Sequence, residues 1–127
     1  MKTSARGFTL IELLVVMSIV ALLASIVAPR YFASLQRSKE TALRTSLNVM
    51  RDAIDQYAAD RGRYPETLEE LAQARYIRGV PEDPLTGSVE TWVLVTPPPD
   101  LPLKGSLYDV RSGAAGRAAD GRLYADW

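Results

Sequence analysis

The sequence predicts an α+β chain: one long N-terminal helix, apolar in its first half and amphipathic in its second, packed on a small antiparallel sheet. Three observations lead there. Residues 8–28 form an almost uncharged apolar run. Beyond Pro29, apolar residues recur at helical spacing as far as Tyr57. The last third then breaks into short runs of strand-forming residues divided by proline and glycine clusters.

The apolar run comes first. Its roughly 21 residues would measure about 31 Å as a helix, against a hydrocarbon core of about 30 Å, so it fits a membrane span. Lys2 and Arg6 ahead of it also suit a secretory signal peptide, with small residues near Ala24 and Ala28 as a cut site. Signal h-regions usually run about 7–15 residues without an acid, however, and this longer run carries Glu12 near its start. A carboxylate at mid-membrane costs about 2.5–3.5 kcal/mol on insertion scales, so Glu12 requires a partner. Lys2 and Arg6 on one flank face Arg30, Arg37 and Lys39 on the other, which leaves orientation undecided.

Pro29 should kink or end the span, because it lacks an amide hydrogen and crowds the carbonyl four residues back. The helical pattern nevertheless resumes. Leu35, Leu43, Leu47, Met50, Ile54 and Tyr57 share one stripe, and Arg37, Lys39, Glu40, Arg44, Arg51, Asp52 and Asp55 wet the remainder. One helix over residues 8–61 is expected, stopped by Gly62. A coiled coil would need a longer and more regular stripe.

Thr67 followed by Glu70 reads as a capping box opening a short helix to about Ala74, with Leu68 and Leu71 on its buried face. Residues 81–87 form a turn cluster. Residues 92–95 and 107–111 read as strands, and the prolines of 96–102 between them make a stiff surface connection more than a ligand for a partner domain. The neighbouring acids Glu69 and Glu70, or Glu82 and Asp83, do not face each other across a substrate; capping and solvation account for them better than hydrolysis.

Composition narrows the function. With 127 residues, an anchor leaves room for one small head. Fifteen basic residues balance fifteen acidic ones without a block of either sign, so no nucleic-acid partner is expected. Absent cysteine excludes a disulfide frame and thiol catalysis. Absent histidine removes the commonest general base and zinc ligand, which points away from an enzyme.

The stretch Arg6-Gly7-Phe8-Thr9-Leu10-Ile11-Glu12-Leu13-Leu14 resembles the class III leader of type IV pilins and type II secretion pseudopilins. The resemblance implies that prepilin peptidase cuts between Gly7 and Phe8 and methylates the new amine of Phe8. Residues 1–7 would then be the leader, 8–29 the transmembrane and assembly helix with its kink at Pro29, and 30–127 a periplasmic pilin-like head that includes the amphipathic half of the helix. Glu12 becomes the fifth residue of the mature chain, about one turn from the new amine. In the family, the glutamate of an incoming subunit meets the N-terminal amine of a neighbour in the filament, and two charges costly alone in lipid become tolerable together. An alternative is an intramolecular contact between Glu12 and the Phe8 amine that only holds the helix start.

The wider order of Gly62, Tyr64-Pro65, the short helix with Leu68 and Leu71, Pro81, Asp83-Pro84 and the strands resembles the G-type major pseudopilin of type II secretion. Tyr108-Asp109-Val110-Arg111-Ser112-Gly113 and the closing Asp126-Trp127 resemble its last strand and tail. This implies a lollipop-shaped structural subunit that polymerises as a homo-oligomer into a periplasmic pseudopilus for protein export. Its partners would be minor pseudopilins, prepilin peptidase, an inner-membrane assembly platform, a secretin and membrane lipid. It would sit in the bacterial inner membrane with a periplasmic head, and no cofactor would be required. The alternative is a type IV pilus or competence pilin in adhesion, motility or DNA uptake, although the missing cysteines argue against disulfide-closed major pilins.

One further implication is calcium. The family holds it in the loop after the last strand, and calcium takes about six to eight oxygen ligands. In residues 112–121 alanine stands where an early acid is expected and Asp120 is the only carboxylate, flanked by Asp109 and Asp126, with Arg117 and Arg122 adding positive charge. Asp120, Asp109 and Asp126 are thus the candidate ligands. The competing reading is a turn at Asp120-Gly121, with Tyr124 and Trp127 folded back as apolar lids.

Overall fold

The protein is described by a computed structural model over residues 6–127; residues 1–5 of the expected leader lie outside the described residues. The elements run α1 (Leu10–Arg61), α2 (Leu68–Gln73), β1 (Val93–Val95), β2 (Asp109–Arg111) and a closing 3-10 turn (Tyr124–Asp126). This is the α+β order that the sequence predicts. The chain divides between Gln36 and Arg37 into two compact units.

In the first unit, α1 begins two residues later than expected, because Thr9 serves as its cap. The helix is continuous through Pro29. What the proline removes is one amide donor, so the expected kink site interrupts the hydrogen-bond ladder without ending the helix.

In the second unit the amphipathic stripe is real. Leu43, Leu47, Met50, Ile54 and Tyr57 are all buried, against Leu68, Leu71, Ile77, Trp92, Leu107 and Val110. Leu35, which the periodicity puts on the same stripe, is exposed and belongs to the first unit. Gly62 stops α1 at φ 69°, its amide donating to the Ala58 carbonyl at 2.9 Å, as a C-terminal glycine should.

Thr67 caps α2 by accepting from the Glu70 amide at 3.1 Å. At the other end, Tyr76 N donates to Leu71 O (2.9 Å) and Arg75 N to Ala72 O (3.1 Å), a Schellman closure. It holds Arg75 at φ 64°, a left-handed conformation unfavourable for a residue with a Cβ. Arg75→Gly is therefore expected to stabilise the fold by about 0.5–1 kcal/mol, read as a rise in the thermal unfolding midpoint.

β1 and β2 pair antiparallel with Val93 opposite Arg111, Leu94 opposite Val110 and Val95 opposite Asp109, within the two runs expected as strands. The proline loop between them returns against the Tyr64-Pro65 pair. Tyr64 N donates to Lys104 O (2.7 Å) and Leu107 N to Pro65 O (2.8 Å). A side chain at Gly105, φ 123°, would overlap the Tyr64 backbone, so this closeness depends on glycine.

Asp83 corrects the solvated-turn expectation. It is fully buried, its Oδ2 accepting from Ser112 Oγ (2.6 Å) and its Oδ1 from the Leu85 amide (2.8 Å). Ser112, equally buried, in turn accepts from the Ala114 amide at 3.1 Å. A buried carboxylate is tolerated because its oxygens are paired in this way.

Candidate functional site

The N-terminal site is built on one helix start. Arg6, Gly7 and Phe8 precede α1 in non-helical backbone, and Phe8 is 88% exposed. The peptide bond between Gly7 and Phe8 is thus open to an approaching protease. Two residues on, the Thr9 amide donates to Glu12 Oε2 at 3.0 Å and the Glu12 amide to Thr9 Oγ1 at 3.1 Å. This reciprocal capping box satisfies two of the helix's free amides and places a negative charge at the positive end of the helix dipole. Within the described chain the partner of Glu12 is therefore the Thr9 amide, one residue beyond the Phe8 nitrogen named by the intramolecular alternative. Sequence reasoning missed Thr9, although the signal was present: a threonine three residues before a glutamate at the head of an apolar run.

Beyond the cap, α1 is long and apolar enough to cross a membrane, and none of its most apolar window is buried within the molecule. Leu10, Ile11, Leu14, Leu22 and Val27 are each more than half exposed. The hydroxyls inside this stretch are satisfied locally, Ser18 donating to Leu14 O and Ser25 to Leu22 O, both at 2.7 Å. Arg30, Tyr31 and Phe32 follow Pro29, the two rings edge-on at 5.8 Å, and Arg30 and Tyr31 are of the amphipathic kind that suits a membrane boundary. So continuous an apolar surface is stable only in lipid or against other helices.

Two of the three carboxylates that carried the calcium expectation, Asp109 and Asp120, accept from arginines and backbone amides. Asp109 Oδ1 accepts from Arg51 Nε at 2.8 Å and from the Val110 amide at 2.7 Å. Asp120 accepts from the Arg122 amide (3.0 Å) and Arg122 Nε (2.9 Å), with Arg44 at 3.9 Å. The Arg122 amide above all, then the Arg122 guanidinium, holds the Asp120 carboxyl below its ordinary value. Asp126 lies in the closing 3-10 turn. Among the described residues no group of three or more His, Cys, Asp or Glu side chains is placed to hold a metal. Tyr124 and Trp127 are buried, their rings edge-on at 5.4 Å, with Arg44 4.5 Å over the Trp127 ring.

Arg51, which sequence reasoning assigned to the wet face of α1, is the other residue missed. Besides Asp109, it donates through Nη2 to Val110 O (3.0 Å) and Trp127 O (2.5 Å), tying helix, strand and tail together. No local pattern announces it.

Glu70 forms a second junction. It accepts from the Glu66 amide (2.7 Å), Tyr57 Oη (2.5 Å) and Arg63 Nη2 (2.6 Å). These bonds, the Glu66 amide first, lower its carboxyl from 4.5 to about 2, and the bond between Tyr57 and Glu70 raises the Tyr57 hydroxyl. Because the unfolded chain binds this proton more readily, the stabilisation is complete above about pH 5.5 and is lost as pH falls toward 2. About 2 kcal/mol of stability should disappear across that window in acid unfolding, and Glu70→Gln should flatten the dependence.

An exposed bond ahead of a capped, unburied apolar helix, followed by a small α+β head, defines a membrane-anchored pilin-like subunit. Residues 2–28 match the family model described as the prokaryotic N-terminal methylation motif. Type II secretion system core protein G of Klebsiella michiganensis is 31% identical over 112 residues, covering 76% of this chain and 77% of that one. The core protein G of Escherichia coli K12 is 32% identical, over 72% of each chain. Type IV major pilin protein PilA of Myxococcus xanthus is 35% identical over 54% of this chain and 31% of its own length. No solved structure matches. The chain belongs to the type II secretion system core protein G family.

Proposed function

We propose that this type II secretion pseudopilin is made as a precursor, cut between Gly7 and Phe8 by prepilin peptidase, methylated on Phe8 and polymerised through α1 into a filament. The observation that carries this is the unburied apolar helix whose capped start lies directly after an exposed Gly7–Phe8 bond. Cleavage converts the Phe8 nitrogen from an amide into a cationic amine beside Glu12. The carboxylate, held at the helix start by Thr9, is then positioned to meet such an amine on a neighbouring subunit, and the matched charges register one subunit against the next. Before assembly the apolar half of α1 rests in the inner membrane, with the head on the periplasmic side. The minor pseudopilins, the assembly platform and the secretin are the partners this role requires. The chain's own part is structural, without a catalytic step. Similarity to a major pilin over about half of this chain supports the same assembly chemistry in a type IV or competence pilus as the second reading.

Intact mass and N-terminal sequencing of the protein from host membranes test the proposal. A chain starting at methylated Phe8 when prepilin peptidase is present, and at Met1 when it is absent, is the expected result. A chain starting at Met1 in both strains, or cut near Ala28, overturns it.

A further inference from the structure

We infer that the head closes its C-terminal loop with its own side chains, Glu40 and Arg44 of α1 doing what a bound cation does elsewhere, so that its stability is independent of calcium. The polarity of the contacts is the first argument. Glu40 Oε1 reaches from α1 into the loop and accepts from the Ala119 amide (3.1 Å) and Tyr124 Oη (2.9 Å). The loop thus offers donors to an anion at this point, whereas a calcium ion needs converging oxygens.

Two of the loop's acceptors, the Gly121 carbonyl and the Asp120 carboxylate, are engaged by guanidinium groups. Arg117 Nη1 donates to Gly121 O at 2.9 Å, and Arg122 and Arg44 face the Asp120 carboxylate. Two arginines already stand at the Asp120 carboxylate, so a divalent cation there would meet their positive charge. The loop's backbone also closes on itself. Ala118 N donates to Arg122 O (2.8 Å), Gly121 N to Ala118 O (2.9 Å) and Tyr124 N to Gly116 O (3.3 Å). Ala114 and Ala118 bury their methyl groups in the core, so apolar contact adds to this polar closure.

The test uses the full chain in detergent. Calcium is titrated calorimetrically, and thermal unfolding is followed in calcium and in EDTA for the wild type, Glu40→Ala and Tyr124→Phe. Tyr124→Phe keeps the ring against Trp127 and removes only the hydroxyl, so it remains informative should Glu40→Ala fold poorly. No saturable calcium heat, equal midpoints in calcium and EDTA, and a drop of about 4–8 °C in the variants are expected. Saturable calcium binding, a midpoint raised by calcium, or Tyr124→Phe and a folded Glu40→Ala both melting with the wild type overturns the inference.

Discussion

Glu12→Gln is expected to reduce filament assembly roughly 10–100-fold while leaving membrane insertion and the helix start intact. The structure makes this the informative substitution. Glu12 both caps α1 through the Thr9 amide and carries the segment's one carboxylate. Glutamine serves the third position of a capping box as glutamate does, but it brings no charge to an N-terminal amine. Glu12→Ala removes both roles and should assemble no better, with an additional loss of about 0.5–2 kcal/mol at the helix start. Filament quantified after shearing from cells, alongside the membrane-bound subunit pool, separates the roles. Should Glu12→Gln assemble at the wild-type level while Glu12→Ala does not, capping alone is the function of Glu12 and the charge pairing is wrong.

Arg51→Ala should be the most damaging single change at the surface of the head. Arg51 binds Asp109, Val110 O and Trp127 O at once, and both members of its ion pair are about two-thirds buried, with side chains 32% and 30% exposed. Removal leaves a half-buried carboxylate and two carbonyls without their charged donor, a cost of about 2–4 kcal/mol. That corresponds to a fall of about 10–20 °C in the unfolding midpoint. Arg51→Lys retains the charge but not the fork, so it should recover only part of the loss. A midpoint for Arg51→Ala within a degree or two of the wild type would show that the tail and β2 are held by apolar burial alone.

The two variants mark different degrees of legibility. Glu12 stood out because an acid inside an apolar run is conspicuous, and local patterns likewise gave the length of α1 and the Gly62 stop. Thr9 is equally legible, as the first member of a capping box whose second member is Glu12. Arg51, Glu40 and Asp83 were not legible. Each looked like an ordinary charged residue on a wet helix face or in a turn, and only the fold reveals what each one touches.

Separation along the chain is the physical reason. Helix caps, apolar stripes and turn glycines act between residues a turn or two apart, where helix geometry fixes who meets whom. The sequence by itself therefore determined the membrane-length helix, the capped α2 and the alternation of strand and proline loop. Arg51 meets Asp109 across 58 residues, Asp83 meets Ser112 across 29, and Glu40 meets Tyr124 across 84. Those pairings exist only once α1, the sheet and the tail have packed, because burial in the assembled head is what makes an unpaired carboxylate or guanidinium costly and so selects its partner. Tertiary structure alone decided that Asp109 pairs with Arg51 and that Asp120 stands beside Arg44 of α1.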